Sequence, residues 1–180
     1  MLTGKKINLR LLRKKELLEY IELFNRLEHR GEFFPPILLT EARLGERLDK
    51  DGFWSDESML LVIAAKDSDQ ILGQLVAFKA TAYYNGYEFG YLLFDPDARG
   101  GGYTSEAVEL FSDYLFKSKP ICRLQLQIEA ENKPSVRVAE KCGFTFEGTA
   151  RSAYFRGGKP VDIGMYSLTL LDWQGRKGLL

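Results

Sequence analysis

The stretch best suited to hold a ligand is rich in glycine and follows an apolar run, Phe89–Phe94, that predicts a buried strand. Apolar residues at helical spacing come after it and predict a helix. Glycines let backbone N–H groups approach a ligand closely, and a helix start adds unpaired N–H donors at the positive end of its dipole. The stretch is therefore predicted to bind a phosphate or a diphosphate. Its residues are Arg99, Gly100, Gly101, Gly102, Tyr103, Thr104 and Ser105.

Two well-known phosphate motifs do not fit this stretch. The dinucleotide pattern G-x-G-x-x-G needs a third glycine at 105 or 106, where Ser105 and Glu106 stand. The P-loop pattern needs a lysine followed by serine or threonine after its last glycine, and Tyr103-Thr104 does not supply it. What remains is Arg99-x-x-Gly102-x-Thr104 between a strand and a helix. A plain glycine-rich turn with no ligand is the alternative.

Histidine is scarce enough to remove whole classes of chemistry, since His29 is the single one. A histidine-rich metal site is excluded, and the two scattered cysteines, Cys122 and Cys142, do not complete a zinc set. No G-x-S-x-G elbow exists to partner His29 in a Ser-His-Asp triad. The reactive group is therefore expected to arrive on a cofactor, and no metal is expected.

Length and composition indicate one domain over residues 1–180, large enough for a full core. The 25 basic and 25 acidic residues cancel, so no global field favours nucleic acid or an anionic membrane. The apolar runs are too short for a membrane span, and the N-terminus has no signal-peptide core. Reduced thiols and a cytoplasmic location are expected.

Periodicity predicts the elements that position these residues. Strands are predicted at 6–12, 59–66, 71–81, 87–94, 121–129, 144–151 and 161–171. Helices are predicted at 14–30, at 40–50, from the glycines to about 117, and at 132–142. The loop Phe33-Phe34-Pro35-Pro36 is expected either to plug the core or to form a wall of a substrate groove. This order predicts an α/β layout around one mixed sheet.

Two local patterns resemble the acetyl-CoA elements of the GNAT superfamily of acetyltransferases. Arg99-x-x-Gly102-x-Thr104 is similar to its diphosphate loop, Gln/Arg-x-x-Gly-x-Gly/Ala, with Thr104 as the departure. The family's second acetyl-CoA element is similar to a later stretch of this chain, which contains Asn132-x-x-Ser135, Glu140-Lys141-Cys142-Gly143-Phe144 and Glu147-Gly148. The resemblance runs from Leu9-Arg10 to Asp172-Trp173 and is nearest the branch named for ribosomal-protein N-terminal acetyltransferases. It implies a single domain with a mixed, mostly antiparallel central sheet flanked by helices and a splayed central strand that binds acetyl-CoA.

The same resemblance implies which residues bind the co-substrate. Backbone groups of Leu92, Leu93 and Phe94 would pair with the pantetheine arm, and an N–H there would polarise the thioester carbonyl. The backbone from Gly100 to Ser105 would hold the diphosphate. Arg99 would either add charge to a phosphate or form a surface salt bridge, and the side chain of Asn132 would meet the pantetheine arm.

The implied chemistry is attack of a primary amine on the thioester carbon. An amine is protonated near neutral pH, so a base must take a proton. Glu88 is the predicted base, directly or through a water, unless strand alternation turns it out to solvent. The tyrosine that many family members place seven residues after the asparagine is Ala139 here. Ser135 is therefore the candidate proton donor, with a capping role in the first helical turn as the alternative.

The acceptor is left open by the sequence. A protein N-terminus and a small amine, such as a polyamine, an amino-sugar antibiotic or an amino acid derivative, both fit. A non-catalytic acetyl-CoA-binding module is a third reading, which Thr104 and Ala139 favour. The late strands around Phe146 and Met165 would either seal the sheet or face a second copy in a homodimer. Acidic and aromatic residues would suit a cationic amine but are also typical of a solvated surface: Glu22, Glu28, Glu32, Tyr83, Tyr84 and Tyr154.

Overall fold

The computed structural model describes residues 1–179, in which eight strands and five α-helices are found. The strands are β1 (Leu2–Thr3), β2 (Ile7–Arg10), β3 (Ser58–Ala65), β4 (Ile71–Phe78), β5 (Gly86–Leu93), β6 (Arg123–Glu129), β7 (Thr145–Arg156) and β8 (Lys159–Thr169). The helices are α1 (Leu17–Asn25), α2 (Glu41–Asp51), α3 (Tyr103–Ser118), α4 (Lys133–Lys141) and α5 (Leu170–Arg176).

The strands lie in the order β1-β2-β3-β4-β5-β6-β8-β7. Pairing is antiparallel from β1 to β4 and from β6 through β8 to β7, whereas β5 and β6 pair in parallel. The parallel register runs from Gly86–Arg123 to Glu88–Gln125. The predicted α/β fold with a mixed, mostly antiparallel sheet flanked by helices is confirmed.

The chain divides into two compact units. The first contains Met1–Phe78 and Gly90–Phe111, and the second contains Lys79–Phe89 and the chain from Ser112 onward. Strand β5 and helix α3 each contribute residues to both. That residues 1–180 act as one domain stays a prediction.

The first unit buries one face of α1. Tyr20 and Phe24 pack with their ring edges on Phe94, at centroid distances of 5.6 and 6.1 Å. The helix ends at Asn25 and not at residue 30, because the carbonyl of Phe24 accepts from Nε of the buried Arg30 at 2.8 Å. This bond satisfies a helix-end carbonyl outside the helix, and only a short 3-10 turn, Leu27–His29, follows.

The second unit is built on β6, whose buried apolar face was predicted. Leu124, Leu126 and Ile128 are buried as expected, but Gln125 and Glu129 on the opposite face are buried too. The predicted last strand, 161–171, ends at Thr169, where a capping box with Asp172 starts α5. Helix α5 and the short strand β1 were missed by the sequence reading.

The described residues contain neither a membrane-spanning helix nor a cluster of metal-binding side chains. No helix within residues 1–179 is long and apolar enough to cross a bilayer. Among the same residues, no group of three or more His, Cys, Asp or Glu side chains is placed to hold a metal ion.

Candidate active site

The glycine turn follows β5 as predicted and leads into α3. Gly100 and Gly102 have φ values of 77° and 81°, in the left-handed region that favours glycine. A Cβ built on Gly100 would meet no atom within 4 Å, so this residue faces open space. The buried Ser105 lies in the first turn of α3. The bare backbone, the open space and the helix start fit a diphosphate.

Contacts between the β1–β2 connection and the start of α3 support this turn and were not predicted from the sequence. We call this group, made of Lys5, Lys6, Gly101 and Glu106, the buttress. The Nζ of Lys6 donates to the carbonyl of Gly101 at 2.7 Å. The carboxylate of Glu106, in the first turn of α3, accepts from the backbone N–H groups of Lys5 and Lys6, with 3.0 Å from the N–H of Lys6 to Oε2. Gly4 lies so close that a Cβ there would be 2.5 Å from Oε1 of Glu106. The buttress fixes the glycine turn and engages the one carboxylate in the first turn of α3.

The side chain of Arg99 has a different partner from either of those expected. Its guanidinium donates to the backbone carbonyl of His29, and a Cβ on Gly31 would lie 3.7 Å from its Nη1. Arg99 therefore ties the glycine turn to the segment after α1. This contact is neither the predicted contact with a phosphate nor the predicted surface salt bridge.

The C-terminal end of β5 is held closely by β4. The N–H of Phe94 donates to the carbonyl of Leu72 at 2.9 Å. This N–H is therefore paired within the sheet, contrary to the expectation that it would bind the pantetheine arm. A Cβ on Gly73 would lie 2.2 Å from the carbonyl oxygen of Leu92. Because backbone groups alternate between the two edges of a strand, the N–H of Leu93 points to the edge opposite β4.

Glu88 is buried on β5 and is not turned out to solvent. Its Oε2 accepts from Nε2 of Gln125 at 2.7 Å and from Nε2 of Gln127 at 2.9 Å. Burial raises the pKa of the Glu88 carboxyl above its ordinary value, while the two amide donors act in the opposite direction. A carboxylate with a raised pKa is suited to accept a proton near neutral pH.

Asn132 and Ser135 open α4. The Oδ1 of Asn132 accepts from the N–H of Ser135 at 3.3 Å and caps the helix. This leaves the Nδ2 of Asn132 as the side-chain group to meet a ligand. Ala139, at the position of the family tyrosine, is fully buried and has no proton to give.

A second polar cluster in the second unit contains Glu147 and Tyr84. From the sequence, Glu147 was assigned to the second acetyl-CoA element and Tyr84 to the binding of a cationic amine. Glu147 accepts from both Nη atoms of Arg123, at 3.1 and 2.8 Å, and from Oγ of Ser167 at 2.6 Å. These contacts, Arg123 foremost, lower the pKa of the Glu147 carboxyl. The Arg123 guanidinium lies 4.8 Å from the ring centroid of Tyr84. Tyr84 therefore already faces a cation of the protein.

The other proposed acceptor residues are divided between core and surface. Phe34 packs edge-on against Phe24 with centroids 5.7 Å apart, which supports its role as a plug. Tyr83 is 94% exposed, and the Glu22, Glu28 and Glu32 side chains are exposed as well.

The fold is that of solved acetyltransferases. The structure of spermidine N-acetyltransferase from Vibrio cholerae, in complex with CoA and spermine, covers 94% of this chain and 99% of its own, with a TM-score of 0.79 at 19% identity. Residues 6–145 match the family model of the acetyltransferase (GNAT) domain, and the chain belongs to this family. It is an N-acetyltransferase, and the non-catalytic reading is not supported.

Two relatives are similar in sequence. The uncharacterized N-acetyltransferase YnaD of Bacillus subtilis (strain 168) is 29% identical over 142 residues, which is 79% of this chain and 81% of the relative. The putative ribosomal N-acetyltransferase YdaF of the same organism is 30% identical over 90 residues, which is 50% of this chain and 49% of the relative.

Proposed function

We propose that the chain transfers the acetyl group of acetyl-CoA to a primary amine by direct attack on the thioester. The observation that carries this proposal is Glu88, a buried carboxylate held by two amides on the strand that leads into the glycine turn. Family membership supports the reaction class.

We assign binding of the co-substrate mainly to backbone groups. The N–H groups from Gly100 to Ser105 receive the diphosphate, helped by the dipole of α3. The N–H of Leu93 donates to the thioester carbonyl oxygen as negative charge develops there. The carbonyl of Leu93, on the same strand edge as its N–H, and the Nδ2 of Asn132 bind the pantetheine arm. The carbonyl of Leu92 faces Gly73 of β4 and is not assigned to the arm.

The bond changes then balance as follows. The amine nitrogen forms a bond to the thioester carbon, the C–S bond breaks, and the sulfur leaves with the electron pair. Glu88 takes the proton that the amine loses, directly or through a water. Ser135 passes its hydroxyl proton to the sulfur as it receives one from solvent water, and Glu88 then releases its proton to solvent, so both side chains are restored. Thiols are acidic, so the sulfur is a good leaving group and Ser135 has the smaller task.

We infer that the acceptor is a small-molecule amine. The solved neighbour of similar fold was bound to spermine, and exposed carboxylates such as Glu22 and Glu28 suit a cation. A protein N-terminus is the second candidate, because of the relative named as a ribosomal N-acetyltransferase. A cytoplasmic location and a homodimer also stay predictions.

The test is a transfer assay with an acceptor panel. The purified chain is incubated with acetyl-CoA and spermidine, an aminoglycoside, or short peptides with free N-termini, and thiol release and acetylated product are both measured. Acetylated spermidine or aminoglycoside at a higher kcat/KM than any peptide supports the proposal. Acetylated peptide alone transfers the assignment to protein N-termini, and thiol release without any acetylated product contradicts both.

A further inference from the structure

Two glutamines of β6 contact the carboxylate of Glu88 in an unequal way. The Nε2 of Gln125 and the Nε2 of Gln127 both donate to Oε2, at 2.7 and 2.9 Å. Oε1 receives neither of these bonds. Since an ionised carboxylate accepts at both oxygens, the glutamines make the two oxygens inequivalent.

We propose that Gln125 and Gln127 are positioning residues, which keep Glu88 ionised until the amine binds and direct the amine's proton to Oε1. This inference rests on the proposed function of Glu88 as the base. In the step, one N–H bond of the acceptor breaks and its electron pair stays on nitrogen. One O–H bond forms at Oε1, and the carboxylate becomes neutral while Oε2 keeps both of its donors.

Strand register explains why two glutamines reach the same oxygen. Glu88 is the direct partner of Gln125 in the parallel pairing of β5 and β6. Gln127 lies two residues further along β6, and side chains two apart share a face of the sheet. The arrangement therefore needs both glutamines at this spacing and a carboxylate at position 88.

The state of Gln125 argues against a merely structural role. Its side chain is only 3% exposed, and its Oε1 is buried with no hydrogen-bond partner among residues 1–179. A buried acceptor without a partner destabilises the fold, so an apolar side chain would pack at lower cost. The presence of a buried amide at position 125 is explained if the hydrogen bond that its Nε2 donates to Glu88 serves the reaction.

The charged side chains near Glu88 are paired with each other, so the two amides are left to stabilise its ionised form. On the same face of β6, Arg123 is paired with Glu147 and Glu129 is paired with Arg156. The residue of β8 opposite Gln125 is the neutral Ser167. Burial is the main influence that raises the pKa of Glu88, and the amides are the influences that lower it.

The experiment compares Gln127→Met and Gln125→Met with the intact enzyme. We measure kcat against pH with both substrates saturating, and the side-chain carboxyl ¹³C titration of Glu88, identified by its loss in Glu88→Gln. Removing a donor from the ionised form raises the pKa of Glu88, so both titrations move to higher pH. At a fixed pH on the acid limb kcat falls about three- to tenfold, and the plateau at higher pH is kept. Gln70→Met, at an exposed glutamine outside this cluster, is the matched control and moves neither.

The outcomes distinguish a failure of the positioning role of the glutamines from a failure of Glu88 as the base. An unmoved Glu88 titration in both methionine variants overturns the positioning role and leaves Glu88 as the base. An unchanged acid limb in Glu88→Gln shows that Glu88 is not the base, and the positioning role then fails with it. Gln127 is exposed, so Gln127→Met tests the role even if Gln125→Met does not fold.

Discussion

The glycine turn of the first unit and the Glu88 cluster of the second are made from different parts of the polypeptide. The turn offers backbone groups, and its two left-handed glycines, Gly100 and Gly102, are close in sequence. The cluster offers side chains, which come from β5 and from positions 37 and 39 residues later on β6. Backbone recognition depends on local conformation, whereas the carboxylate depends on strand register. The two regions should therefore fail in different ways when mutated.

The largest effect is expected from Gly102→Glu. A side chain at φ 81° strains the turn, and a carboxylate there repels a diphosphate. The Kd for acetyl-CoA measured by calorimetry should rise about 100-fold or more. Gly178→Glu, at φ 66° near the C-terminus, carries the same change and is expected to keep the wild-type Kd. Equal affinities for both variants would contradict the role of the turn.

A smaller loss is expected in the second unit from Ser135→Ala. If the hydroxyl returns a proton to the sulfur, kcat should fall about tenfold while the KM for both substrates is kept. The matched control is Ser135→Thr, which retains a hydroxyl and should retain most of the activity. A drop in the melting temperature without a change in kcat would instead assign Ser135 to the structure of α4.

The buttress is tested by Lys6→Met, which removes the bond from Nζ to the carbonyl of Gly101. We expect the KM for acetyl-CoA to rise about three- to tenfold with kcat unchanged, because the turn loses a charge-assisted hydrogen bond. Lys5→Met removes the same charge from the neighbouring residue, whose backbone contacts Glu106. Should both variants behave alike, net charge and not the buttress would set the affinity.

The smallest effect concerns the frame of the first unit, where Asp69 accepts from Arg10 at 2.8 Å and Arg13 at 2.6 Å. These bonds lower the pKa of Asp69, so their stabilisation is present above the unfolded pKa and is lost as pH falls through the folded one. Asp69→Asn tolerates the φ of 58° and should lower the free energy of unfolding by about 0.5–1 kcal/mol near neutral pH, since the pair is partly exposed. Urea unfolding at neutral pH and at about pH 2 checks this.

In acid the difference between wild type and Asp69→Asn should disappear. The exposed Asp67→Asn in the same turn is the control, with no loss expected at either pH. A difference that persists in acid would mean that Asp69 acts through its backbone conformation.

The sequence predicted what depends on near neighbours. The strand, glycine turn and helix around Gly102 are local, and so is the start of α4 after Asn132. The capping box between Thr169 and Asp172 was equally local and was overlooked, so the predicted strand ran past the start of α5.

What the sequence could not predict depends on contacts between distant residues. Lys6 and Gly101 are 95 residues apart, and a surface lysine is not marked by its type as a partner for a carbonyl. Arg99 had a ligand role by motif, but its position beside His29 emerges only in the fold. The same holds for the glutamines on Glu88, because only the β5–β6 register shows which polar side chains of β6 are neighbours.

One variant tests the proposed division between backbone binding and side-chain chemistry most directly. For Glu88→Gln we expect an unchanged calorimetric Kd for acetyl-CoA, together with a kcat about 100-fold lower that no longer falls on the acid side. A kcat with the wild-type value and pH profile, or a loss of acetyl-CoA binding in a folded variant, would contradict it.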